Sequence, residues 1–168
     1  MSKGGWDQAA VDWANGIIAS AAGKPRYYLG VDPGTDTGLA VWDSATRSYV
    51  DITSGTAVAM EQRVLQLIAL YAPVKIRVVI EDTRKLRLPA HLRDNTKANF
   101  YDKGVGSVHR DMGRWEEFCQ YHSLDFAMQP LSRHIKRKMK SADFRQMTGW
   151  EKRTNEHERD AACIVWNR

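Results

Sequence analysis

The sequence predicts an α/β domain in which helices pack on a mixed five-stranded sheet, and three observations carry that prediction. Three short apolar or alternating runs, at 27–32, 38–43 and 48–53, follow one another with only Gly34/Thr35 and Ser44/Ala45/Thr46 between them. That spacing marks an antiparallel meander of three strands. A near-continuous Val/Ile run at 76–81 has the composition of a strand buried on both faces. From position 58 onward, segments of helical period alternate with short strand-like runs, the order of a layered α/β fold.

Taken in order, residues 6–22 read as a helix because Trp6, Ala10, Trp13, Ile17 and Ile18 recur roughly in phase, and Gly23-Lys24-Pro25 ends it. Residues 1–26 are therefore expected to be an N-terminal helical extension and 27–168 the main domain, with Trp6 and Trp13 placed to cap an open sheet face. The helix expected at 58–71 shows the apolar stripe Val64, Leu65, Ile68 and Ala69, and Pro73 stops it. The polar, basic segment 84–103 reads as a connection, and its length points to function. Helices are expected over 105–122 and 132–147 with a short strand at 124–128 between them, and a last helix over 155–166.

A chain of 168 residues fits one domain with a self-sufficient core. Hydrophobic residues make up 43% and charged residues 27%, with 12 Gly and 5 Pro, which excludes a disordered, collagen-like or low-complexity chain. No apolar run is long enough to span a bilayer, so no membrane partner is expected. Asp7 and Asp12 interrupt any apolar core of a secretory signal. Cys119 and Cys163 form neither a disulfide framework nor a zinc-type pair, and read as small core residues of a soluble, cytoplasmic protein.

The net charge is +5, but its distribution is uneven. Between Arg84 and Arg153 there are 16 Lys/Arg against 8 Asp/Glu, while the rest of the chain holds 9 against 12. A basic half beside a mildly acidic half matches a nucleic-acid footprint set against a carboxylate-rich site.

Three places put acids where acids are costly. Asp32 ends the first strand, where Pro33 and Gly34 turn the chain and leave the carboxylate at the strand's C-terminal edge. Glu81 ends the buried strand, with Asp82 after it on the other face. Asp160 sits on the last helix beside Ala161, Ala162 and Ile164. At roughly 100° per residue, His157 lies about 60° from Asp160 with Ile164 between them, so that stripe is expected to pack on the sheet. Taken singly, each acid has an ordinary reading as a turn, ion-pair or solvated residue. If the first and fourth strands are neighbours, Asp32 and Glu81 meet at one sheet edge and Asp160 with His157 closes over them. Carboxylates so close repel and are costly to bury, and a hard divalent cation such as Mg²⁺ or Mn²⁺ removes that cost.

The set GVDPGTDTG, then VVIED, then HERDAA on a C-terminal helix resembles the RuvC-type Holliday junction resolvases of the RNase H-like superfamily, over roughly residues 27–166. The resemblance implies an RNase H-like fold, to which the N-terminal helix read at 6–22 is an addition without a family counterpart. Asp32 matches the first catalytic aspartate, Glu81 the strand glutamate and Asp160 the last aspartate. His157 falls where many members carry another aspartate and some a histidine; Glu156 and Glu158 flank it as alternative carboxylates. The implied activity is metal-dependent endonucleolytic cleavage of branched DNA, above all four-way junctions, by paired nicks. Two Mg²⁺ ions per site, replaceable by Mn²⁺ and about 3.5–4 Å apart, would clamp the attacking and leaving oxygens. Asp32 would bridge both ions, Glu81 hold one, and Asp160 with His157 the other, with His157 also assisting proton transfer.

Around that site, Arg133, Lys136, Arg137, Lys138 and Lys140 form a basic run of five cations in eight residues, suited to tracking phosphates. Lys136 and Lys140 share a helix face at i, i+4 and are candidates to approach the scissile phosphate. In the connection 84–103, Phe100 and Tyr101 stand among Arg84, Lys85, Arg87, Arg93 and Lys97, where aromatics either stack on unpaired bases or anchor the core. In resembling resolvases a loop here wedges the junction open, and the helix at 105–121 is expected to make a homodimer contact. A different RNase H-like nuclease, acting on flaps, forks or RNA–DNA hybrids, is the main alternative. The glycine-rich turn also resembles phosphate-holding turns of actin-like and sugar-kinase ATPases, but those folds need two such domains.

Overall fold

The structure, a computed structural model, describes residues 23–82, 97–130 and 139–168, with side chains from 109 onward in the second of these stretches. The alternating runs form strands β1 Tyr27–Asp32, β2 Asp36–Asp43, β3 Ser48–Thr56, β4 Ile76–Asp82 and β5 Phe126–Pro130. The helices are α1 Ala57–Tyr71, α2 Lys97–Tyr121, α3 Ser141–Thr148 and α4 Glu156–Val165. All five strands join one sheet in the order β3-β2-β1-β4-β5. The meander β1-β2-β3 is antiparallel, while β4 runs parallel to both β1 and β5. This is the mixed five-stranded sheet flanked by helices that the sequence predicts. Among the described residues no helix is long and apolar enough to cross a membrane.

Strand alternation divides the side chains between two faces. Leu29, Val31, Leu39, Val41, Val78 and Ile80 point to one face, where Met60, Val64 and Leu67 of α1 and Trp115 and Cys119 of α2 cover them. Each such side chain, taken fully out of water, contributes roughly 1.5–3 kcal/mol. On the opposite face Ala40, Trp42, Tyr49 and Val79 meet Phe144 of α3 and Ala161, Ala162 and Val165 of α4. The Tyr49 hydroxyl, buried there, donates to the Ala162 carbonyl at 2.8 Å, and the Trp42 indole donates to the carbonyl of Arg168.

Two glycines let α4 come unusually close to the sheet. A methyl group on Gly30 of β1 would collide with the Ala161 carbonyl oxygen and lie 3.1 Å from both Val165 methyls. One on Gly38 of β2 would collide with the carbonyl group of His157. Both positions are therefore filled by helix backbone, which only glycine permits at such range.

Several boundaries differ from those expected. Helix α2 begins at Lys97, not near 105, so the basic connection is shorter than expected. Its first turns are polar and carry Gly104 and Gly106, and thus lack the apolar period that would announce a helix. The 139–140 end of the expected helix 132–147 is extended, with α3 starting at Ser141; residues 131–138 lie outside the described ones. Strand β5 lies two residues later than expected because the Leu124 amide closes the end of α2 on the Cys119 carbonyl. In α1 the buried stripe is Met60, Val64 and Leu67, with Ile68 beside it and Ala69 exposed. The expected helix at 6–22 and its two tryptophans also fall outside the described residues.

Candidate active site

The sheet register sets five residues in one row near the C-terminal ends of β1 and β4. Asp32 pairs with Gly38, and Gly38 with Ser54. Val31 pairs with Ile80, which puts Asp32 level with Glu81, and Glu81 pairs with Gln129. Residues paired directly across strands share a face, and this row faces α4. Asp82, next along β4, turns to the other side. The Pro33–Asp36 turn that leaves Asp32 at this edge is closed by the Thr37 hydroxyl, which donates to the Gly34 carbonyl at 2.9 Å. Thr37 is buried, so its hydroxyl serves the turn rather than an outside ligand.

The last helix completes the cluster. His157 Nδ1 lies 2.9 Å from Asp32 Oδ2. Asp32 and Glu81 are buried, at 9% and 8% exposure, whereas the His157 side chain is 43% exposed. Burial, a hydrogen bond shared with Asp32, and the charges of Asp32 and Asp160 push the Glu81 carboxyl up to about 9, against a smaller opposing pull from His157. Without a compensating cation, Glu81 therefore carries a proton at neutral pH and shares it with Asp32.

The helix does not sit as its sequence predicts. It packs on the sheet through Ala161, Ala162 and Val165. The stripe of His157, Asp160 and Ile164 is a flank of the helix, not its packed face. The reason is steric: the alanines and the two strand glycines allow a backbone-to-backbone approach that larger side chains would block. Because α4 lies across β1 and β2, that flank is the one whose charges reach Glu81 on β4.

Glu158 has another task. Its Oε2 accepts from the Asn155 amide at 2.8 Å, while the Asn155 side chain accepts from the Glu158 amide, a capping box that starts α4. Its Oε1 accepts from the Ser54 hydroxyl at 3.1 Å. Both oxygens are engaged, so Glu158 is committed to the helix cap rather than to the site.

Of the basic and aromatic candidates, Arg84, Lys85, Arg87, Arg133, Lys136, Arg137 and Lys138 lie outside the described residues. Phe100 and Tyr101 belong to the backbone of α2 rather than to a loop, and their side chains lie outside the described ones. Lys140 is exposed and caps α3 in an extended conformation, so it does not share a helix face with Lys136. Arg159 holds this stretch to the site: its Nε donates to the Met139 carbonyl at 2.8 Å and its Nη1 to the Thr154 carbonyl at 2.7 Å.

Four functional positions escaped the sequence reading: Gly30, Gly38, Ser54 and Arg159. A glycine inside a strand signals close backbone approach and was the available clue for the first two. Ser54 lies one residue past the expected end of its strand. Nothing in sequence distinguishes Arg159 from other surface arginines.

Among the described residues, no three His, Cys, Asp or Glu side chains are pre-arranged around a single metal position. The donor set still suits a hard cation: carboxylates crowd together, one of them kept uncharged by its neighbours, and a divalent ion would take the place of the shared proton.

With this geometry in view, the fold compares with that of T. thermophilus RuvC in complex with Holliday junction substrate: TM-score 0.56, 13% identity, 84% of this chain and 91% of that one. No protein-family model and no curated protein matches the sequence. At that identity the likeness is one of fold: a mixed five-stranded sheet flanked by helices, as in the RNase H-like α/β fold.

Proposed function

We propose that the protein is a divalent-metal-dependent endonuclease that cuts branched DNA, resolving four-way junctions by paired nicks. The observation that supports this reading best is the convergence of Asp32, Glu81, His157 and Asp160, from three separate elements, on one edge of a RuvC-type sheet. Asp32, Glu81 and Asp160, with His157, would hold Mg²⁺ or Mn²⁺, by the preference of hard cations for oxygen donors. When bound, the ions would neutralise the phosphate and polarise its oxygen for displacement.

The chain's own residues divide the remaining work. Asp32 engages His157 at Nδ1, which leaves Nε2 as the ring position that meets a water or a phosphate oxygen. An imidazole so oriented has a ring nitrogen placed to pass a proton to or from that oxygen. Glu81 would bind a cation only as the carboxylate, so metal binding and release of its proton would be linked. Lys140, with the cations of 84–103 and 131–138, supplies the phosphate-tracking surface. Two symmetric cuts require two sites related by a two-fold axis, which a homodimer through the exposed face of α2 would supply.

The test is cleavage of a four-way junction, a flap, a duplex and an RNA–DNA hybrid with Mg²⁺ and with Mn²⁺, by the wild type and by Asp32→Asn. The expected result is paired nicks in the junction, lost in Asp32→Asn while junction binding is retained or tightened, because repulsion of the phosphate falls. Cleavage by Asp32→Asn removes the site assignment. Preference for the flap or hybrid, with a monomeric mass in solution, replaces the junction with that substrate.

A further inference from the structure

The N-terminal turn of α4, which carries His157, is fastened to the edge strand β3 by one hydroxyl. Ser54 Oγ accepts from Asn155 Nδ2 at 2.7 Å and donates to Glu158 Oε1 at 3.1 Å. Asn155 and Glu158 are the two halves of the capping box, so the hydroxyl grips the cap itself rather than one side chain of it. Ser54 stands in the same sheet row as Asp32, two strands away, and Gly38 lies between them with the His157 backbone seated on it. The first turn of the helix is therefore held at three points along one row: Ser54 on its outer side, Gly38 beneath, and Asp32 through the imidazole on its inner side. Farther along, the Tyr49–Ala162 hydrogen bond holds the helix, but without Ser54 its first turn loses the outer hold, and a roll there swings His157 and Asp160 relative to Glu81. The Ser54 contact opposes that roll.

We propose that Ser54 is a positioning residue: through the Asn155–Glu158 cap it sets the rotation of α4 and thereby the placement of His157 and Asp160 against Asp32 and Glu81. The proposal rests on the nuclease reading only for its activity readout. Ser54 touches neither substrate nor cation in this scheme.

The test uses three variants. Ser54→Ala removes the hydroxyl. Ser54→Thr keeps it. Asn155→Asp keeps the oxygen that caps the Glu158 amide but loses the amide group that donates to Ser54, which separates fastening from helix capping. The first readout needs neither metal nor DNA: nitrogen NMR of the histidine rings in the metal-free protein, with the His157 signals assigned by His157→Gln. Ser54→Ala and Asn155→Asp are expected to shift the His157 Nδ1 signal away from its Asp32-bound position, and Ser54→Thr to restore it. The second readout is junction cleavage and junction affinity, measured separately. Cleavage is expected to fall about 10- to 100-fold, the usual loss when a ligand's supporting partner is removed, at unchanged affinity. Ser48→Ala, at the far end of the same strand, where the exposed hydroxyl shares a hydrogen bond with that of Thr46, serves as the control without effect.

Unchanged His157 signals in both Ser54→Ala and Asn155→Asp overturn the proposal. So does a cleavage loss matched by an equal loss of junction affinity, which would make Ser54 a DNA contact. If the signals shift as expected but the wild type cuts no branched DNA, the positioning role stands and the nuclease reading falls.

Discussion

The two faces of the sheet solve different problems with the same strands. On the α1/α2 face, large apolar residues from both sides fill the space, and contact is side chain to side chain. On the α3/α4 face, under α4, the sheet presents Gly30 and Gly38 and the helix presents Ala161 and Ala162, so contact is backbone to backbone. The first arrangement maximises apolar area removed from water. The second gives up area to bring a short helix within hydrogen-bonding reach of carboxylates at the sheet edge. Side-chain packing thus governs the first face, and close backbone approach sets where α4 lies on the second.

That contrast is broken most directly by substitutions of opposite sense. Leu67→Ala leaves a cavity on the α1/α2 face and is expected to cost about 2–5 kcal/mol in urea unfolding, with cleavage per folded molecule unchanged. Gly38→Ala adds one methyl group under His157 and is expected to cost about 1–3 kcal/mol as an overpacking change. Its cleavage loss is expected to be larger in proportion, about 100-fold, since a shift near 1 Å in reacting groups is enough for that. If Gly38→Ala cleaves normally, or Leu67→Ala fails in cleavage at equal folded fraction, the division between faces is wrong.

A finer test concerns the buried acid. The Glu81 carboxyl is raised from 4.5 to about 9, so the folded state binds a proton that the unfolded chain releases. Its contribution is therefore whole below pH 4.5 and is lost progressively as pH rises toward 9. In chelator, Glu81→Gln removes this loss while keeping a donor for Asp32, and is expected to stabilise the protein at pH 8 by at least about 1 kcal/mol over wild type. Saturating Mg²⁺ should reverse the order, because only the carboxylate binds it. Equal melting temperatures in chelator at pH 8 would show that burial and Asp32 do not raise the Glu81 carboxyl.

The smallest effect is expected at the exposed fastening on the other face. Arg114 of α2 reaches Glu61 of α1 with two hydrogen bonds, at 2.6 and 2.9 Å. Arg114 is half exposed, so Arg114→Ala is expected to cost about 0.2–1 kcal/mol, decreasing with salt, and to leave cleavage unchanged. A comparable bond count at Ser54 is expected to matter far more to chemistry than to stability.

The same contrast explains what was legible in sequence. The meander and β4 could be read because their alternation and Val/Ile density are local properties of the chain. The acids could be read as acids at strand ends, and β1–β4 pairing was the one assumption needed to bring Asp32 beside Glu81. The rotation of α4 could not be read, since hydrophobicity favours Ile164 as an inward residue while the actual contact is made by Ala161 and Ala162 against glycine. Ser54 could not be read for a related reason: its importance lies in residues about 100 positions away. The start of α2 was hidden because residues 97–104 carry few apolar side chains to mark a period.

The Asp32–His157 contact joins residues 125 positions apart, and the carbonyl of Arg168 is itself taken by Trp42. Hairpins β1-β2 and β2-β3 close over short loops and can form early, whereas this long-range contact closes last, against the largest loss of chain entropy. A nascent or C-terminally clipped chain lacking 156–168 would keep most of its α1/α2-face core yet hold only two of the four site residues. Such a chain would lack the imidazole that meets Asp32 and, with it, the contact that closes the row over the sheet edge.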